Sequence, residues 1–100
     1  MPIYRHYQGD LVVVKGESTY SPDKCTGYLD VIYCVHTRLN KYVSIYRDNE
    51  GKMYHNFSTD TLIVYKGLDD YSDFYVRPSW NFHEELENNV RRFEQVGGNI

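Results

Sequence analysis

Phe74-Tyr75-Val76-Arg77-Pro78-Ser79-Trp80-Asn81-Phe82 is the stretch on which the reading of this chain turns. It holds four aromatic rings, one guanidinium and one proline within nine residues. Pro78 fixes its own φ and pushes Arg77 into extended backbone. The stretch therefore reads as a strand stopping at a rigid corner, with Arg77 at the corner and Tyr75 and Trp80 beside it. No other part of the sequence concentrates as much contact chemistry.

Upstream, Thr61 to Lys66 reads as a strand. An acidic turn from Gly67 to Asp73 joins it to Phe74–Arg77 as a hairpin. A second hairpin precedes it, with Tyr42–Arg47, a tight connection at Asp48-Asn49-Glu50-Gly51, and a return through Lys52–Asn56. Tyr28–His36 alternates with period two, placing Leu29, Val31, Tyr33 and Val35 on one face and Asp30, Ile32, Cys34 and His36 on the other. Apolar residues on both faces mark it as the central strand, and His36 at its end reads as a structural histidine. Leu11–Lys15 is a buried strand bounded by Gly16, and Glu17–Gly27 is a polar loop. Ile3–Tyr7 is a short strand closed by the turn Gln8-Gly9-Asp10.

Downstream of Pro78 the pattern is ambiguous. Phe82, Leu86, Val90 and Phe93 share one face of a helix, which Ser79 would cap and Gly97-Gly98 would end. The competing reading is a hairpin bent at Asn88-Asn89, because Asn tolerates the positive φ of tight turns.

The 100 residues bound the answer to one small domain, 1–100, with a modest core. Its 11 tyrosines suit half-buried strand faces and binding surfaces alike. A net charge of −3 and a pI near 5.7 argue against general nucleic-acid binding, which needs a concentrated basic patch. No apolar run is long enough for a membrane span, and the N-terminus has no apolar signal core, so the expected location is the cytoplasm. Cys25 and Cys34 make no disulfide framework; Cys34 reads as a small buried hydrophobe and Cys25 as an exposed thiol in a turn.

Three blocks resemble a known family. Tyr4-Arg5-His6-Tyr7-Gln8-Gly9-Asp10 is similar to the opening signature of DUF1653, a small bacterial and phage domain of unknown function. Ile63-Val64-Tyr65-Lys66, followed by Tyr75-Val76-Arg77-Pro78 and Phe82, resembles its second block, and Arg92-Phe93-Glu94 its closing one. Gln8 replaces a usual lysine, Tyr75 stands where tryptophan is common, and a longer segment separates the first two blocks. The resemblance implies a mainly β fold, a small antiparallel SH3-like barrel or strongly curled sheet with an extra central hairpin. It favours the hairpin over the helix at residues 82–95 and implies no activity.

The sequence carries no phosphate-cradling loop, no Cys-x-x-Cys and no His-Glu-x-x-His. His6, His36, His55 and His83 are scattered, and the doublets Asp69-Asp70 and Glu84-Glu85 face opposite ways on extended backbone. No catalytic residue, metal or cofactor is expected. What remains is a binding surface formed by Arg5, His6, Tyr65, Tyr75, Arg77 and Trp80. Guanidinium with flat rings suits a small anionic, ring-containing ligand such as a nucleotide. In the plainer alternative, Arg77 and His6 merely hold the barrel ends together. A protein partner meeting a Tyr-rich or acidic face (Asp69, Asp70, Asp73, Glu84, Glu85, Glu87) is the competing function, and edge strands suggest a homo-oligomer.

Overall fold

The computed structural model describes residues 2–28, 30–69 and 71–98. Eight strands follow in order: β1 Ile3–His6, β2 Leu11–Tyr20, β3 Asp30–His36, β4 Lys41–Arg47, β5 Met53–His55, β6 Leu62–Gly67, β7 Phe74–Pro78 and β8 Phe93–Gly97. One helical turn, α1, spans Ser79–Phe82. The strands form a single sheet in the order β5-β4-β3-β7-β6-β2-β1-β8, and β5 also pairs with β2. That pairing closes β2, β6, β7, β3, β4 and β5 into a six-stranded barrel; β1 and β8 continue the sheet beyond it. Most pairings are antiparallel, but β3 with β7 and β2 with β5 are parallel.

β6 explains how so short a chain builds two cores. Leu62, Ile63, Val64 and Tyr65 are all buried, and alternation sends them to opposite sides. Leu62 and Val64 meet Cys34, Val43, Ile45, Met53 and Val76 in one cluster. Ile63 and Tyr65 meet Val12, Phe82 and Phe93 in the other. Phe82 and Phe93 stack with centroids 4.2 Å apart, and Tyr4 meets Phe82 edge-on at 5.1 Å. α1, β1 and β8 supply the rings that cover this second face.

The corner after Arg77 forms where Pro78 places it. Pro78 has no N–H to donate, and the next amide, Ser79 N–H, bonds Thr61 O at 2.8 Å. Both expected hairpins are present, β4–β5 and β6–β7. β3 lies inside the sheet between β4 and β7, with Cys34 and His36 buried and Tyr33 64% exposed. Leu29, expected on the same face as Val31, Tyr33 and Val35, lies outside the described residues.

The segment after α1 is a hairpin. Asn88 and Asn89 have φ of 63° and 60°, Glu85 bridges Arg91, and Arg92 N–H donates to Glu84 O at 2.9 Å. The helical spacing of Phe82, Leu86, Val90 and Phe93 buries no common stripe, since Val90 is exposed while Phe82 and Phe93 belong to the second core.

Two expectations are corrected. Glu17–Tyr20 is strand and not loop: β2 runs on past Gly16 through a bulge between Val14 and Gly16. Its polar half reads as loop in the sequence because its inward residue is Ser18, and Gly16 resembles a terminator. Cys25 is buried in the 3-10 turn Asp23–Cys25 and is not an exposed thiol.

Candidate functional site

Arg77 lies on the face of β7 opposite Val76, which points into the barrel. Its guanidinium is fixed on three sides. Nε donates to Tyr65 Oη at 3.3 Å, Nη1 donates to Asn81 Oδ1 at 2.8 Å, and Cζ sits 5.5 Å from the centroid of the Phe93 ring. Asn81, 2% exposed, is a buried hub: its backbone carbonyl also accepts from Arg92 Nε at 3.1 Å. Arg92 in turn pairs with Glu84 at 2.6 Å. Neither ion pair among the described residues, Arg47–Asp30 or Arg92–Glu84, involves Arg77. Nη2 of Arg77 has no hydrogen-bond partner among them.

Arg77 lines a cavity of about 660 Å³ together with His6, Tyr65, Tyr75, Thr37 and Phe93. Its rim comes from two turns, Gln8-Gly9-Asp10 after β1 and Leu68, Asp69 and Ser72 between β6 and β7. Tyr65 and Tyr75 are cross-strand partners whose rings stack at 5.8 Å. Burial raises the Tyr65 phenol above its ordinary value, opposed by the bond from Arg77, so the hydroxyl stays protonated at neutral pH. The Thr37 hydroxyl is shut off from solvent with no hydrogen-bond partner of good geometry, yet lies near enough to favour phenolate at Tyr65.

His6 ends β1 against this cavity, its ring 4.9 Å from that of Phe93. Gln8 N–H donates to its Nδ1 at 3.2 Å, which leaves the proton of the neutral ring on Nε2. Burial, then Arg77 and Arg92, lower its pKa, while Asp10 opposes them. His6 is therefore neutral at pH 7 and acts as a hydrogen-bond donor without charge.

Four of the six expected residues thus share one cavity. Arg5 and Trp80 do not join them. Arg5 is absent from that lining and faces a neighbouring hollow with Asn89, Arg91 and Glu94, which His6 also borders. In α1, Asn81 and Phe82 turn inward, leaving Trp80 54% exposed at a different cavity under the Arg38 guanidinium.

No family model matches the chain, and neither the curated proteins nor the solved structures return a match. Thr37, Asn81 and Asp10 belong to the site without a sequence motif that assigns them to it, and Asp69, expected on an acidic face, lines the same cavity. Asp10 was readable in principle, because the turn after His6 returns its carboxylate toward the histidine; so was the Asn81 side chain, which meets Arg77 only four residues away across the Pro78 corner, whereas the Arg92 contact needs the hairpin. Among the described residues, no group of three or more His, Cys, Asp and Glu side chains is placed to hold a metal ion, and no helix is long and apolar enough to cross a membrane.

Proposed function

We propose that this domain, of DUF1653 type, is a non-catalytic binder that takes a small anionic, ring-containing ligand of nucleotide kind in the cavity around Arg77. The observation that carries the reading is the guanidinium itself: among the described residues its three contacts are neutral groups, none is a carboxylate, and one nitrogen has no hydrogen-bond partner, on the wall of a ligand-sized hollow. A guanidinium held in this way is preorganised for a phosphate or carboxylate oxygen. His6 Nε2–H supplies a second donor, and the Tyr75 ring offers a flat face.

The rim narrows the ligand. Asp10 and Asp69 set two carboxylates against one guanidinium, with His6 neutral. A polyphosphate would meet repulsion there. A ligand with a single anionic group at Arg77, and hydroxyl or amino donors toward the two carboxylates, fits the charge pattern.

A thermal-shift panel of mononucleotides and cyclic nucleotides on the wild type and Arg77→Ala tests this. Stabilisation by one class of ligand, lost in the variant, is the expected result. Absence of a shift with every member sinks the reading.

The competing function, a protein–protein module, is favoured by one observation. Tyr33 and Tyr42 stand 64% and 65% exposed on neighbouring strands of the outer barrel wall. If that wall is the working face, Tyr33→Ala with Tyr42→Ala abolishes partner binding and leaves any Arg77-dependent ligand shift intact. In either reading the free edge of β8 is where a second copy would pair, which sedimentation over a concentration series checks.

A further inference from the structure

The hollow in which Trp80 stands has its own chemistry. It measures about 410 Å³ and is lined by His36, Arg38, Phe57, Asp60 and Trp80, with Ser58, Thr59, Leu39 and Pro78 completing the wall. The Arg38 Cζ lies 4.9 Å from the Trp80 ring centroid, so a cation is already stacked on the indole. Phe57 meets His36 edge-on at 6.0 Å.

His36 is the informative residue. It is only 4% exposed. Its Nδ1 accepts from two backbone amides, Arg38 N–H at 3.3 Å and Leu39 N–H at 3.2 Å. A nitrogen that accepts from two amides carries no proton, so the ring's proton sits on Nε2. That donor has no hydrogen-bond partner among the described residues, on a ring that lines the hollow. The atom is not sealed off, so water in the hollow, or a ligand that displaces it, can accept from this donor. Burial and then Arg38 hold His36 below the ordinary imidazole range, which keeps it neutral at pH 7.

Asp60 is the opposing group. Its carboxylate has no hydrogen bond or ion pair among the described residues, yet it is close enough to favour the charged forms of both His36 and His55. With His36 neutral, Arg38 and Asp60 bring the formal charge of the wall to zero. A polyanion gains nothing there. An uncharged, flat molecule with acceptors on one edge and donors beside them satisfies every group at once: acceptors toward His36 Nε2–H and Arg38, donors toward Asp60, and a face on the indole.

We infer that the Trp80 hollow is a second binding site, separate from the Arg77 cavity, for an uncharged planar heterocycle of nucleobase type. It does not rest on the reading of the first cavity. Trp80 is the chain's single tryptophan, so its fluorescence reports occupancy directly. Full-length protein is titrated with guanosine, adenosine, cytidine and uridine, with absorbance corrected. Saturable quenching by at least one nucleoside is expected. Arg38→Ala and Asp60→Asn, both of exposed or half-buried residues, each weaken it by about tenfold, the worth of one lost hydrogen bond. His6→Gln leaves it within about twofold, since His6 lines the Arg77 cavity and touches nothing in this hollow. No saturable change with any of the four nucleosides overturns the inference. So does quenching that Arg38→Ala and Asp60→Asn leave untouched, or that His6→Gln abolishes.

Discussion

Arg77 shows how one side chain joins packing to chemistry. Its bonds to Tyr65 and Asn81 are structural, as the plainer reading of the sequence has it, and the same bonds aim Nη2. The proline corner made Arg77 legible, because the constraint is local. Thr37 was not legible, because the Tyr65 phenol comes near it from another strand. Gly16 is a residue whose role only the fold reveals. It has φ of +151°, and a Cβ there would stand 2.8 Å from Met53 Cε. The methionine end can move, so the backbone conformation dominates: Gly16→Ala is expected to lower stability by about 1–2 kcal/mol in urea unfolding, with Met53→Leu giving little relief. The thiols make a second prediction. Burial pushes Cys34 up to about 12 and raises Cys25 as well. Neither is a nucleophile at neutral pH, so a thiol-exchange dye finds no rapidly reacting group in the native protein and two in denaturant.

At the scale of elements, the C-terminal hairpin decides between two periodicities. Phe82 to Phe93 has helical spacing, but Asn88 and Asn89 both adopt positive φ, and the Glu84–Arg92 backbone bond holds the arms together. A hydrophobic period of three or four residues over so short a window is weak against two adjacent residues suited to the left-handed region. Placing Phe93 on Phe82 then follows from the reversal, which brings β8 back over the second core. Asn89→Gly is expected to stabilise the domain by about 0.5 kcal/mol, and Asn89→Val to destabilise it by more than 1 kcal/mol, or about that, through strain at the bend. If residues 82–93 were helical in solution, the glycine would destabilise instead and the valine would be nearly neutral; chemical denaturation midpoints separate the two cases.

The whole molecule depends on where the barrel shuts. The strands at five of the six barrel seams were readable as strands, and the β4–β5 and β6–β7 hairpins as pairings. The sixth, β2 with β5, is parallel and polar, and its β2 half looks like loop in the sequence. It is pinned by Ser18 and His55, both fully buried, with Ser18 Oγ 2.7 Å from His55 Nδ1 and His55 Nε2 2.9 Å from Ser58 O. The carbonyl can only accept, so Nε2 carries the proton and Ser18 donates to Nδ1. Burial lowers the pKa of His55 below 6.5, as it does for His6 and His36. The unfolded chain therefore binds more protons than the native one below about pH 6.5, where free imidazole titrates. The stabilisation is complete above that pH and is lost as the pH falls through the lower, native values, at up to about 1.4 kcal/mol per pH unit for each histidine. Urea midpoints should be level from pH 7 to 8 and should decline from pH 6.5 to 5. Ser18→Ala removes the donor to Nδ1 and costs about 1–3 kcal/mol, the penalty for a buried acceptor left unpaired. It also makes folded-state His55 easier to protonate, since no hydroxyl donates to Nδ1, so the pH dependence of the seam shrinks. The amides of Thr19 to Tyr20 and Met53 to His55 should then exchange faster than those of β6 and β7. Uniform protection across all six barrel strands in the variant would mean that this seam is no weaker than the rest, and the barrel would have to be held shut by something other than the serine–histidine pair.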